Sequence, residues 1–404
     1  MIARVRRAAT TWVCRARPCC ARRDQAEQAR RGRLPGRADA AESRVPGCGR
    51  CRRPARSAAL LLAVLGAAAC LLGAACGATG STVPRRPLRV AVLPYLSFGP
   101  IFLAHDEGDF ASVGLEVDLV RFGRSVEAIP ALDRGDLDVA GGTLSLALFN
   151  AVARGSRVRI VADKGYVPRD GCAYSGLLAR RALGPEPRLT REGLRGLRVA
   201  ADRTSYTGYY LDKLLASAGL GPEDVEMVNV PDEILGDALD RGRVDLAHTT
   251  EPWLSRLVGE GHGHLWVTPQ DVLPDSQYAY LFFGPALLER DPEAGYRFLT
   301  AYLRGVRRYL EGKTSRNLAI LSARTGLDPE RLAAACWPGF RADGEVDPES
   351  LRDFQQWGRS KGLLDAGLPT DFVWDPRFIR EAGRRAAVQR DGGQAGAARK
   401  PASS

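Results

Sequence analysis

The chain predicts an α/β fold of two lobes, each a doubly wound and mostly parallel sheet, and three observations lead there. Between Leu88 and Asp163 four short β-branched runs alternate with segments of helical period, the mark of βαβ units. The same alternation resumes from Leu197 onward. Finally, the string Ala131-Leu-Asp-Arg-Gly-Asp-Leu-Asp138 recurs as Ala238-Leu-Asp-Arg-Gly-Arg-Val-Asp245. Two copies of one grammar imply facing lobes joined by hinge crossovers.

The 404 residues admit two domains at about 150 residues each. The net charge of +11 resembles a nucleic-acid signal until it is located. Residues 1–75 hold 16 Arg, no Lys and 4 acidic residues, so the remainder is near neutral and no nucleic-acid partner is expected. Seven of the nine cysteines also fall in the first 76 residues; only Cys172 and Cys336 belong to the body, as a disulfide or as two thiols.

Residues 1–51, rich in Arg, Ala and Cys, read as a disordered or mis-assigned extension, with Val45 as one alternative start. Residues 52–76 read as an export signal: Arg52, Arg53 and Arg56, an uncharged Ala/Leu core over Ser57–Leu72, then small residues before Cys76. The Gly73-Ala-Ala-Cys76 end resembles a lipobox, making Cys76 the expected lipidation site, with Cys70 a second candidate and an ordinary secretory signal the alternative. Residues 77–87 form a Gly/Ser/Thr/Pro tether.

Lobe 1 is expected over residues 88–178. Strands at Leu88–Val92, Leu115–Phe122, Leu137–Ala140 and Val158–Ala162 end in turns, and ligands of open α/β sheets sit beyond such ends. The candidate binding residues here are Tyr95 and Phe98, then Arg124, then Gly142 and Thr143. The paired glycines admit a ligand to backbone amides at a helix start, or simply make a tight turn. A Pro-rich stretch, Arg180–Arg188, marks the expected crossover.

Lobe 2 is expected over residues 179–275. Its cleft-facing turns supply Ser205, Tyr206 and Thr207, and then Glu251 and Trp253. Hydroxyls and amides at a helix start suit an anion, although Ser205 also reads as an N-cap. Glu251 also reads as a partner of a helix dipole, and Trp253 as core. Tyr95, Phe98, Tyr206 and Trp253 together suit stacking on a planar or apolar ligand. Residues 276–386 carry a returning strand, Gln277–Phe283, and C-terminal helices that brace lobe 1; residues 387–404 read as a disordered tail.

Ala104–Val117 and Ala131–Gly142 together resemble the nitrate/sulfonate/thiamine-precursor solute-binding proteins of ABC importers, and the likeness runs more loosely from Leu88 to Trp374. The resemblance implies a periplasmic-binding-protein type 2 fold. It also implies a lipid-anchored receptor, not an enzyme, acting as a monomer on the extracytoplasmic face of the cell membrane and serving a permease and its ATPase. Aromatics with Glu251 favour a thiamine pyrimidine precursor; Arg124 and Ser205–Gly208 favour a sulfonate- or taurine-like anion.

The rival is an enzyme resembling the thiamine pyrimidine synthases of this fold, which carry a cysteine cluster. No cofactor, metal or catalytic residue is expected. Gly312-Lys313-Thr314 lacks the earlier glycine of a phosphate loop, since position 307 is Arg. Cys48-Gly-Arg-Cys51 lacks a second ligand pair, and His262-Gly-His264 lacks a ligand set beyond Glu260.

Overall fold

The computed structural model describes residues 86–123, 127–364 and 367–397. The expected signal, Cys70, Cys76, the tether up to residue 85 and Arg124 lie outside the described residues.

Strands β1 (Leu88–Val92), β2 (Val117–Arg121), β3 (Val139–Thr143) and β4 (Arg159–Tyr166) belong to one sheet of five, ordered β2-β1-β3-β10-β4. Here β10 is Gln277–Phe283, the returning strand. The second sheet is ordered β7-β6-β8-β5-β9. It comprises β5 (Ser175–Arg180), β6 (Arg198–Ala200), β7 (Glu226–Val228), β8 (Leu246–Thr250) and β9 (Gly263–Val267). The two orders correspond strand for strand.

Each sheet is mostly parallel, four strands running one way, and is made mixed by a single reversed strand. β10 runs antiparallel to β3 and β4, and β5 runs antiparallel to β8 and β9. Both reversals have one topological cause. A chain that leaves β4 at the carboxyl end of the first sheet enters the second sheet from the cleft side, so β5 points away from the cleft; β10 returns in the same way. The crossover therefore lies between Tyr166 and Ser175, ahead of the Pro-rich stretch where composition alone placed it. Ser175–Arg180, an apolar run buried between β8 and β9, opens the second sheet.

The two crossing segments are tied to each other, Val167 N–H to the Ser276 carbonyl at 2.9 Å and Asp275 N–H to the Val167 carbonyl at 2.8 Å. Cys172 and Cys336 form a disulfide that fastens the first crossover to the C-terminal helical region. That region packs on lobe 1. A methyl on Gly305, in the helix Pro292–Leu310, would overlap the Pro100 carbonyl of the helix Gly99–Asp106. Gly99 in turn lies under the Tyr309 ring, where an added Cβ would sit 2.6 Å from it. These bare contacts hold the start of Gly99–Asp106, which follows the turn Tyr95–Phe98, close against the helix Pro292–Leu310. The last helix runs on to Ala397, past the expected boundary at 386, because its Ala, Gln and Arg residues favour a helix intrinsically.

The repeated string does the same work in both lobes. Its glycines, Gly135 and Gly242, take left-handed conformations at φ 78° and 63°, which end the preceding helix. The aspartate immediately before the strand then clasps the neighbouring strand. Asp138 exchanges backbone and side-chain bonds with Arg89 of β1 and accepts both terminal nitrogens of Arg86 at 2.8 Å. Asp245 does likewise with Arg198 of β6, and adds Arg180 Nε at 2.9 Å. Burial pushes the Asp245 carboxylate up, but the amide and guanidinium of Arg198 and the guanidinium of Arg180 outweigh it and hold it low. Both clasps stand at the amino ends of β3 and β8, away from the cleft.

Candidate functional site

Between the carboxyl ends of the two sheets lies a cleft of about 240 Å³, below the roughly 300–1,000 Å³ of pockets for drug-sized ligands. Tyr95, Phe98, Gly142, Thr143, Ser205, Tyr206 and Thr207 line it, drawn from three loops that the sequence places far apart. Gly123 lines it as well, next to the undescribed Arg124.

Glu251 and Trp253 do not line the cleft. Glu251 is buried, and its carboxylate is taken by Ser255, whose hydroxyl and amide donate at 2.6 and 3.1 Å. The chain turns at Thr250, so the next side chain is drawn into the first turn of the helix Trp253–Gly259. Trp253 is half-buried, with the Arg256 guanidinium 5.1 Å from its ring centroid.

The amides expected to be free at two helix starts are occupied. Ser145 and Ser205 pair as an isolated antiparallel bridge between the lobes. The Leu146 amide donates to the Thr204 carbonyl at 2.8 Å, the Tyr206 amide to the Leu144 carbonyl at 2.9 Å, and the Leu144 amide to the Tyr278 carbonyl at 2.8 Å. Ser205 caps the helix Tyr206–Ser217 through the Thr207 amide, and the Thr207 hydroxyl in turn accepts from the Asp202 amide. The turn that favoured a sulfonate therefore spends its hydroxyls on its own Asp202–Thr207 loop, and its Thr204 carbonyl and Tyr206 amide on lobe 1.

The groups left for a ligand are ones the sequence reading passed over. Lys164, near the end of β4, is 2 % exposed and lines the cleft. Its ammonium donates to the Ser97 hydroxyl at 2.8 Å and lies 3.8 Å from the Phe98 ring centroid. Gly141 makes room for it, since a Cβ there would come within 2.6 Å of the lysine stem. Burial pulls Lys164 down to about 7, with neighbouring Asp163 opposing.

Asp163 points the other way on the strand and binds the hinge. It accepts from Gln277 Nε2, Arg341 N–H and Gly165 N–H at 2.9, 3.0 and 3.1 Å, while burial still pushes it up to about 7.

Across the cleft Asp232 accepts from the Tyr95 hydroxyl at 2.8 Å and the Thr249 hydroxyl at 3.2 Å. Burial raises its pKa despite those donors. The Tyr95 bond joins lobe 1 to lobe 2 directly. His248 also lines the cleft, its Nε2 is buried without a partner, and burial pulls the ring down to about 4. Tyr174, Tyr278 and Tyr206 form a continuous aromatic wall with successive centroids 5.8 Å apart.

A signal for these residues was present. Asp163-Lys164 interrupts an otherwise apolar strand at its cleft end, and Asp232 follows the strand before it at the same kind of place. Among the described residues, no group of three or more His, Cys, Asp and Glu is placed to hold a metal ion. His262 is engaged by Asp240 and Glu260.

The bicarbonate-binding protein CmpA of Synechococcus elongatus is 21% identical over 242 residues, 54% of this chain and 52% of that protein. The chain thus spans about half the length of the curated relatives it matches. The ligand-binding component of an ABC-type import system from Staphylococcus aureus aligns with a TM-score of 0.63 at 15% identity, covering 74% of this chain and 99% of that one. The periplasmic nitrate-binding protein NrtA of Synechocystis aligns at 0.62 and 15%, covering 76% and 90%. These likenesses establish a two-lobe periplasmic-binding-protein fold. A model of the NMT1-like family matches residues 81–322, and the chain belongs to that family.

Proposed function

We propose that this protein is the extracytoplasmic solute-binding component of an ABC importer, closing its lobes on a small organic molecule and delivering it to a permease and its ATPase. One observation carries the reading. The carboxyl ends of both sheets border a single small cleft, and Tyr95 bonds across it to Asp232. A ligand that touches both walls stabilises the closed form over the open one, which is what binding-driven closure requires.

A sulfonate- or taurine-like anion fits Lys164, and an amine-bearing heterocycle such as a thiamine pyrimidine precursor fits Asp232 and the tyrosine wall. CmpA and NrtA, named for bicarbonate and nitrate, lend weight to an anion. Export fits the Cys172–Cys336 disulfide, which persists in oxidising compartments. Lipidation at Cys76 would tether the protein at the membrane. The disulfide also leaves no free thiol among the described residues, which counts against an enzyme of the cysteine-cluster type.

Calorimetry with the purified chain against alkanesulfonates, taurine, nitrate, bicarbonate and thiamine pyrimidine precursors tests the reading. The expected outcome is saturable binding of one molecule per chain with no chemical change. Multiple turnover of any of these compounds would replace the receptor with an enzyme.

A further inference from the structure

Lys164 is a buried cation without a counter-charge. Among the described residues no carboxylate lies within ion-pair distance of it: its one hydrogen bond is to the neutral Ser97 hydroxyl, and its other neighbour is the Phe98 ring. Asp163, next along the strand, has its carboxylate engaged by Gln277, Arg341 and Gly165. On the facing wall Asp232 is engaged by Tyr95 and Thr249, and Asp202 by Thr204. An ammonium that is desolvated and unpaired costs the fold free energy, and removing it by an apolar residue of similar length is neutral or stabilising. The chain nevertheless builds a slot for it, with Gly141 bare beneath the stem and Phe98 across it. Two of the three ammonium donors remain for something else in the cleft.

We propose that Lys164 is the anion anchor of the cleft, and that the ligand carries an acidic group (sulfonate, carboxylate or a phosphate-like group) which supplies the missing counter-charge. This rests on the receptor reading and narrows it, because neutral pyrimidines leave the ammonium unpaired. It also predicts proton uptake. Burial holds the empty-cleft lysine near 7, so at pH 8 it is largely neutral, and a bound anion favours the charged form. The titratable groups sharing the cavity with it are Tyr95, Tyr174, Tyr206, Tyr278, Asp202, Asp232 and His248.

The test compares wild type and Lys164→Met by calorimetry and thermal melting, with ethanesulfonate, taurine, nitrate, bicarbonate and the neutral 4-amino-5-hydroxymethylpyrimidine as probes. Wild type should select anions, and Lys164→Met should weaken the best of them about 10- to 150-fold. The ligand-free variant should melt no lower than wild type, unlike a variant that has lost a structural contact. Wild type titrated at pH 8 in two buffers of different ionisation enthalpy should show net proton uptake on binding an anion. That readout needs no variant.

Equal anion affinity in Lys164→Met, or anion binding by wild type without proton uptake, overturns the anchor while leaving the receptor standing. Selection of the neutral pyrimidine alone does the same. Failure of every probe to bind wild type sinks the receptor reading and the anchor with it.

Discussion

Asp138 and Asp245 hold the same position in two copies of one motif, and the structure gives them the same partners: the amide and carbonyl of an arginine on the neighbouring parallel strand, and arginine guanidinium groups nearby. At the opposite ends of the same sheets the symmetry stops. Lobe 1 offers a lysine held by Ser97 and Phe98, whereas lobe 2 offers a carboxylate, Asp232, and an orphaned histidine, His248. What is repeated builds the lobes, and what differs faces the cleft. The repeated motif is thus architectural, and discrimination between ligands falls to residues with no counterpart across the cleft.

That division can be broken by experiment, beginning where the effect is largest. Replacing both Cys172 and Cys336 by Ser opens a link across 164 residues of sequence, and should cost about 2–5 kcal/mol in urea denaturation while leaving ligand preference unchanged. A change in which ligand binds would mean that the crossover shapes the site.

Asp138→Ala and Asp245→Ala should each lose about 2–4 kcal/mol of stability, less than a wholly buried ion pair because the arginines are partly exposed. The two losses should be alike, and affinity per folded molecule should hold. If one variant is silent in denaturation, the copies are not equivalent.

Tyr95→Phe removes the cross-cleft bond to Asp232 and should weaken ligand binding by about 1–2 kcal/mol, with little change in the melting of the empty protein. Equal affinity would show that closure does not use that bond.

His248 separates the lobes by pH. Its pKa in the fold lies near 4, below the unfolded value of about 6.5, so its contribution is full above pH 6.5 and is lost as pH falls toward 4. Between pH 7 and 5.5 wild type should lose about 1 kcal/mol more than His248→Gln, measured as paired denaturation curves. Parallel curves would place the acid sensitivity elsewhere.

The smallest expected effect is in Trp253→Ala, which lies outside the cleft and should move ligand affinity by less than about 0.5 kcal/mol. A tenfold loss would return Trp253 to the site.

Most of the architecture was legible in the chain, because apolar periodicity and turn residues are local signals. The strands at Leu88–Val92 and Gln277–Phe283 and the helix Tyr206–Ser217 fall where periodicity puts them. The site was half legible. Strand ends pointed to Tyr95, Phe98, Gly142, Thr143 and Ser205–Thr207, since a parallel strand's carboxyl end faces the crevice whatever its sequence. Glu251 and Trp253 satisfied the same rule and still fell outside, because one turn of backbone decides whether a side chain faces the cleft or its own helix.

The chain by itself determined the two lobes, their repeated motif and the rough location of the cleft, through signals carried within a few residues of one another. Three matters belonged to the tertiary structure alone. It reversed β5 and β10, because only the crossing of the hinge sets their direction. It consumed the Leu146 and Tyr206 amides at the two helix starts, because their partners come from the other lobe. And it left Lys164 without a counter-charge, because a missing partner is a fact about every residue that surrounds a group in space, and most of those lie far from it in sequence.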